Sequence, residues 1–140
     1  MMGAKKNTPL YRRLYPVCER LGGKVSANFA GLIVGKRSVL YRHAQYWTNH
    51  GRKGQKYEQL TWGKPFGSTE EHKIIDFVLL HASKPEEIFF LFPVAKAKLL
   101  ARTFPGNLNV AVSPIRDVTI RDKVEPFRVR FSDLKRVLNK

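Results

Sequence analysis

Ile74-Ile-Asp-Phe-Val-Leu-Leu-His81, Lys84-Pro-Glu-Glu87 and Ile88-Phe-Phe-Leu-Phe92, closed by Pro93, form two short and almost continuous apolar runs around a turn. Apolar runs of this length, without polar alternation, are the pattern of strands buried on both faces. Downstream, Val94–Phe104 reads as a helix, with proline at its start and Pro105-Gly106 after its end. Upstream, Gly31-Leu-Ile-Val-Gly-Lys-Arg-Ser-Val-Leu-Tyr-Arg42 reads as two strands around a Gly-Lys-Arg turn. Before it, Leu10, Leu14, Val17, Cys18 and Leu21 form a helical stripe over Pro9–Gly22, stopped by Gly22-Gly23.

The flanks read less sharply. Residues 1–8 are a basic arm, expected to be flexible. Residues 44–68 are polar, aromatic and glycine-rich, with Gly51, Gly54, Gly63 and Gly67, and read as a long variable loop. The stretch 107–122 carries no clear period and is expected to be extended. Phe131–Leu138 reads as a short amphipathic helix with Ser132 as N-cap. At 140 residues and 43% hydrophobic, the chain suits one domain able to bury a core. The expectation is a single α/β domain over 1–140, a mixed central sheet flanked by helices.

Composition narrows the function. Lys and Arg number 26 against 11 acids, a net charge of +15, which points to a polyanionic partner. The charge is also uneven. Residues 1–67 hold thirteen Lys and Arg but only two acids, Glu19 and Glu58, and no aspartate precedes Asp76. A half-chain without counter-charges repels itself unless phosphates supply them. One cysteine, Cys18, excludes an internal disulfide and a cysteine-built metal site. No apolar run approaches the roughly 18 residues of a membrane span, and no signal peptide is visible, so an intracellular, non-membrane protein is expected.

The order of helix, hairpin, variable segment, two buried strands and helix resembles the PD-(D/E)xK, restriction-endonuclease-like fold of restriction, repair and small homing endonucleases. Glu19-Arg-Leu-Gly-Gly-Lys-Val25 resembles that family's first helix and turn, and Gly31–Arg42 its catalytic hairpin. Trp62 with Ile74–Leu80, and Glu87-Ile-Phe-Phe-Leu-Phe-Pro93, resemble its later strands. The family places an aspartate at the start of the first hairpin strand, where Gly31 stands here. Its Glu-x-Lys falls on Leu40-Tyr41-Arg42. Those acids hold a divalent metal against the scissile phosphate, and no acid lies between Glu19 and Glu58. The resemblance therefore implies a kept fold with lost nuclease chemistry, and no cofactor. In the alternative, an active homing or restriction-type endonuclease, magnesium would need displaced ligands from Glu19, His43, Gln45 and Glu58. That enzyme would work as a homo-oligomer. A basic structural protein of a ribonucleoprotein is a further alternative. Phe29-Ala-Gly-Leu-Ile-Val-Gly35 resembles the LAGLIDADG motif only superficially, since it lacks the metal-binding acid.

Other motifs carry little chemistry. His43 and His50 are seven apart with no acid between them, which is not metal-helix spacing. His72 and His81 stand alone, and Cys18 lies on an apolar stripe. The glycines of 51–67 do not spell a phosphate-binding loop. The aromatics are more informative: Tyr41, Tyr46, Trp47, Tyr57, Trp62 and Phe66 alternate with Arg42, Arg52, Lys53, Lys56 and Lys64. Cations grip phosphates and rings stack on unpaired bases, while Trp62 and Phe66 are assigned to the core. The residues expected to touch DNA or RNA are Arg12, Arg13, Lys36, Arg37, Arg42, Tyr46, Trp47, Arg52, Lys53 and Lys56. Arg42 is expected to replace the lost metal as a phosphate grip, with Leu40 filling the carboxylate's space. Restoring Gly31→Asp, Leu40→Glu and Arg42→Lys should then recover metal binding. Asp76 is expected to be structural.

Overall fold

A computed structural model describes residues 8–50, 56–111 and 118–140 of the chain. The first helix, α1, covers Pro9–Leu21. The Thr8 hydroxyl accepts from the Tyr11 N–H at 3.2 Å, Pro9 occupies the first turn, and Gly22 closes the helix at φ +71°. The stripe read from the sequence is the buried face: Leu14, Val17, Cys18 and Leu21. Burial also pushes the Cys18 thiol pKa up, which leaves an inert thiol.

A six-stranded mixed sheet forms the centre, in the order β1 (Lys24–Val25), β2 (Gly31–Val34), β3 (Arg37–His43), β6 (Phe77–Ala82), β7 (Ile88–Pro93) and β9 (Arg128–Val129). Only β3 and β6 run parallel; the other neighbours are antiparallel. The two apolar runs are its β6 and β7, buried on both faces as their composition requires. On one face Leu32, Val39, Tyr41, Leu79, Phe89 and Leu91 meet α1 and α5 (Phe131–Leu138). On the other, Leu40, Val78, Leu80, Phe90 and Phe92 meet α3 (Val94–Thr103), α4 (Val118–Lys123) and a second sheet.

That second sheet corrects the reading of 44–68 as a loop. Gln45–His50 is β4, Lys56–Gly63 is β5, and Asn107–Ala111 is β8; together they form an antiparallel sheet in the order β4-β5-β8. The signal was a period of two: Tyr46, Leu60, Trp62, Leu108 and Val110 pack into the core, while Gln59, Thr61 and Asn109 alternate with them. Within 107–122, only 107–111 is extended; Val118–Lys123 is helical, and residues 112–117 lie outside the described residues.

Three boundaries also shift. β6 starts at Phe77, because 69–74 wrap as the short helix α2 (Thr69–His72) and its final turn, leaving Ile74 42% exposed. Asp76, just before β6, accepts the Ser38 N–H on Oδ2 at 2.9 Å, so it ties β6 to β3. Helix α5 starts at Phe131 with Arg130 at the cap, which puts Ser132 inside the first turn. Thr8 belongs to α1 as its cap, and the rest of the expected arm, 1–7, lies outside the described residues. Among the described residues no helix is long and apolar enough to cross a membrane.

Candidate nucleic-acid interface

The two sheets part at Ala44. Its N–H donates to the His81 carbonyl at 2.8 Å, and the Trp62 indole N–H donates to the same oxygen at 3.2 Å. This doubly used carbonyl holds the second sheet against the end of β3. Beside it opens a cleft of about 600 Å³, lined by Pro9, Leu10 and Arg13 of α1, by residues 43–47, and by Ser83 and Lys84 after β6. Among the described residues two cations line it and no carboxylate does. Trp47 is 49% exposed, while Tyr46 leans half-buried on the core.

His43 forms the inner wall. Its Nε2 lies 2.9 Å from the Ser83 hydroxyl, and its ring meets His81 edge-on with centroids 5.1 Å apart. Burial, His81 and the Arg13 guanidinium push its pKa down to about 4, so the ring is neutral at physiological pH.

Behind His43 runs a buried polar chain. The Tyr41 hydroxyl is 2.6 Å from His81 Nδ1 and 3.2 Å from the Arg13 carbonyl. His81 Nε2 is 3.1 Å from Glu87 Oε2, and Arg20 grips Glu87 through two 2.8 Å bonds. The Arg20 hydrogen bonds hold the Glu87 carboxyl pKa below its usual range. An ionised Glu87 accepts only, so His81 donates from Nε2 and, as a neutral ring, accepts on Nδ1 the single Tyr41 hydroxyl proton, for which the Arg13 carbonyl at 3.2 Å is a second, weaker acceptor. Burial lowers the His81 pKa more than Glu87 raises it, and burial raises that of Tyr41. The Arg20 guanidinium also covers Phe131, 4.1 Å from the ring centre. The chain thus ties the Arg13 backbone and the Arg20 side chain of α1 to the sheet.

The structure gathers some of the sequence-predicted residues and separates others. Arg13, His43, Gln45, Tyr46 and Trp47 meet at the cleft. Arg12 is exposed on α1; Lys36 and Arg37 sit at the opposite end of β3 from His43. Lys56 starts β5 opposite His50. Arg52 and Lys53 lie outside the described residues. Glu19 and Glu58, invoked as displaced metal ligands, do not line the cleft, and the described residues contain no group of three His, Cys, Asp or Glu able to hold a metal.

The hairpin needs two corrections. Gly31 pairs directly with Leu40, so the proposed relic positions do face each other. A Cβ on Gly31, however, would lie 2.0 Å from the Val39 carbonyl oxygen, and Leu40 is fully buried. No carboxylate fits at either position, so the restored triple variant would not rebuild a metal site. Arg42 is not a free grip either: Glu71 takes its guanidinium at 3.4 Å and the Tyr41 carbonyl at 3.2 Å, beside a separate cavity of about 270 Å³. Glu71 itself is fixed in the capping box with Ser68 that starts α2.

Sequence reading missed Ser83 and Lys84, which parallel pairing of β3 with β6 brings to the cleft from forty positions downstream. The register His43↔His81 does this, and no local motif announces it. Comparison with family models, with curated proteins and with solved structures returns no match to this chain.

Proposed function

We propose that the chain is a nucleic-acid-binding protein on a restriction-endonuclease-like fold without metal-dependent cleavage. The observation that carries this reading is the carboxylate-free cleft, where Arg13 and Lys84 stand beside an exposed tryptophan. Cations there hold phosphates and the ring offers a stacking surface.

Charge distribution supports it. Arg12, Arg13, Lys24, Lys36 and Arg37 have no ion pair among the described residues, whereas Arg20 and Arg42 borrow Glu87 and Glu71 from the second half. Most of the remaining pairs join residues of the C-terminal half to each other. Lys84, in the second half, is likewise without an ion pair among the described residues, so both cations that line the cleft lack a counter-charge. The fold half of the proposal is supported by the antiparallel β2–β3 hairpin, covered by α1, with β6 parallel beside it. The absence of metal-dependent cleavage is supported by Gly31, Leu40 and the occupied Arg42.

The test is fluorescence anisotropy of a labelled 20-bp duplex and a stem-loop RNA at increasing KCl. With about six phosphate contacts on B-DNA, log K should fall against log salt with a slope of roughly −5. A flat salt dependence would overturn the reading. Incubating the same labelled nucleic acids with magnesium or manganese should leave them intact; cleavage products would return the active-endonuclease alternative. Asp76→Asn, whose side chain bonds the Ser38 N–H at the β3 start, should leave the affinity unchanged in folded protein. Arg42→Ala should also change it little, since Glu71 neutralises that charge in the free protein.

A further inference from the structure

The outer face of the β4-β5-β8 sheet is uncovered and unusual in composition. Register places Gln45, Thr61 and Asn109 in one row across the three strands, and Trp47, Gln59 and Ala111 in the next. Asn107 follows opposite Gly63. These residues are exposed or half-buried, whereas the alternate positions Tyr46, Leu60, Trp62, Leu108 and Val110 face the core. Glu58, the only acid on these strands, has the parity of Leu60 and Trp62 and so is absent from the outer row.

We propose that this face reads unpaired bases of a single nucleic-acid strand whose phosphates lie along Arg13 and Lys84 in the adjoining cleft. The inference rests on the nucleic-acid reading above and gives that site its ligand. An exposed ring on an open sheet face is a stacking platform for splayed bases, and a duplex with its bases stacked inside cannot use it. Trp47 lies about 5 Å from Gln59 directly across the ladder, Cβ to Cβ, and about 7 Å from Gln45, two residues along the strand, so both amides flank a base stacked on the ring. Side-chain amides offer both a donor and an acceptor to a base edge. The Thr61 hydroxyl donates to Asn109 Oδ1 at 2.8 Å, which commits that oxygen and leaves the Asn109 NH2 as donor. Continuity with the cleft supplies the charge complement: Trp47 and Gln45 belong to both the face and the cleft wall.

The chain contains two tryptophans, Trp47 exposed and Trp62 fully buried, so quenching by a base reports on Trp47. The probes are 12-nucleotide strands of oligo(dA), oligo(rA), oligo(dT) and oligo(rU), and a 12-bp duplex. Single strands should quench the emission and bind at least about tenfold tighter than the duplex. Trp47→Ala should lose about tenfold or more in affinity and Trp47→Phe much less, as stacking requires. Gln59→Ala should change the ratio of A-strand to U-strand affinity while leaving the salt slope alone. Equal ribo and deoxy affinities, or tighter ribo binding through the 2′-hydroxyl, both agree with the proposal. A duplex bound as tightly as a strand, or a folded Trp47→Ala within twofold of the parent, would overturn it. Those results leave the nucleic-acid reading standing; absence of binding to every probe would remove that reading itself.

Discussion

Gly31→Asp is expected to unfold the β2–β3 hairpin rather than supply a metal ligand. The glycine pairs with Leu40 so closely that any Cβ would sit 2.0 Å from the Val39 carbonyl oxygen and 2.6 Å from the Phe29 ring. The first of these neighbours is backbone in the middle of a ladder, and it cannot yield without breaking the pairing. Overpacking alone costs about 1–3 kcal/mol, and the aspartate adds the cost of a carboxylate buried beside Phe29 and Leu40. Against a total stability of about 5–15 kcal/mol, the variant should lose most of its folded population. Gly31→Ala should fail for the same steric reason without the charge. Circular dichroism and urea unfolding decide it, with Gly35→Asn as control, because Gly35 has φ +58° and open space around its Cβ position. A Gly31→Asp protein that melts near the parent would mean the hairpin does not close as described.

Stability should also fall steeply in mild acid. In the native protein the His43 pKa lies at about 4, against an ordinary 6.5. Between those values the unfolded chain takes up a proton that native His43 refuses. Stability is therefore full above pH 6.5, declines as the pH drops, and stops declining on this account below pH 4. Solvent screening of the part-exposed ring keeps the difference to about 1–2 kcal/mol for His43. His81, lowered by its burial, acts in the same direction. Glu87 has a carboxyl pKa held below 4.5 by Arg20, so its stabilisation is present above that value and is lost below it. Of the facing groups, Arg13 from α1 and His81 from β6 favour the uncharged ring, Ser83 bonds its Nε2, and the Ala44 backbone favours the charged form but is outweighed by burial. Urea midpoints from pH 7 to 4 should fall for the parent and fall less for His43→Gln. A parent whose midpoint stays level over that range would contradict this account of the cleft wall.

Much of the central sheet was legible because its chemistry is local. Ile88–Phe92 can only be a strand with two buried faces, and α1 advertises itself through five apolar positions, four of them buried, and a glycine stop. The second sheet was hidden by its function-like surface. Gln45, Trp47, Gln59 and Thr61 face outward, and their polarity, with the glycines nearby, reads as loop until Tyr46, Leu60 and Trp62 are taken as the alternate partners. Chain-local reasoning placed Arg13, His43, Gln45, Tyr46 and Trp47 among the site candidates, but not Ser83 or Lys84. It counted Arg42 as free, because the Glu71 that holds it lies 29 residues away across an intervening hairpin.

The polar chain beneath the cleft starts and ends on the same helix. From the Arg13 carbonyl it passes through Tyr41, His81 and Glu87 to Arg20, with links that span 28, 40, 6 and 67 positions in sequence. Links of such range repay their loop-closure entropy only after the strands between them are in place. In kinetic terms α1 is a latch, closed after the folding barrier is crossed and released before the sheet comes apart. Arg20→Ala should therefore speed unfolding several-fold and leave the refolding rate close to the parent's. That result would put the lifetime of the native protein under a bond pair on its surface, and the rate at which it forms under the sheet.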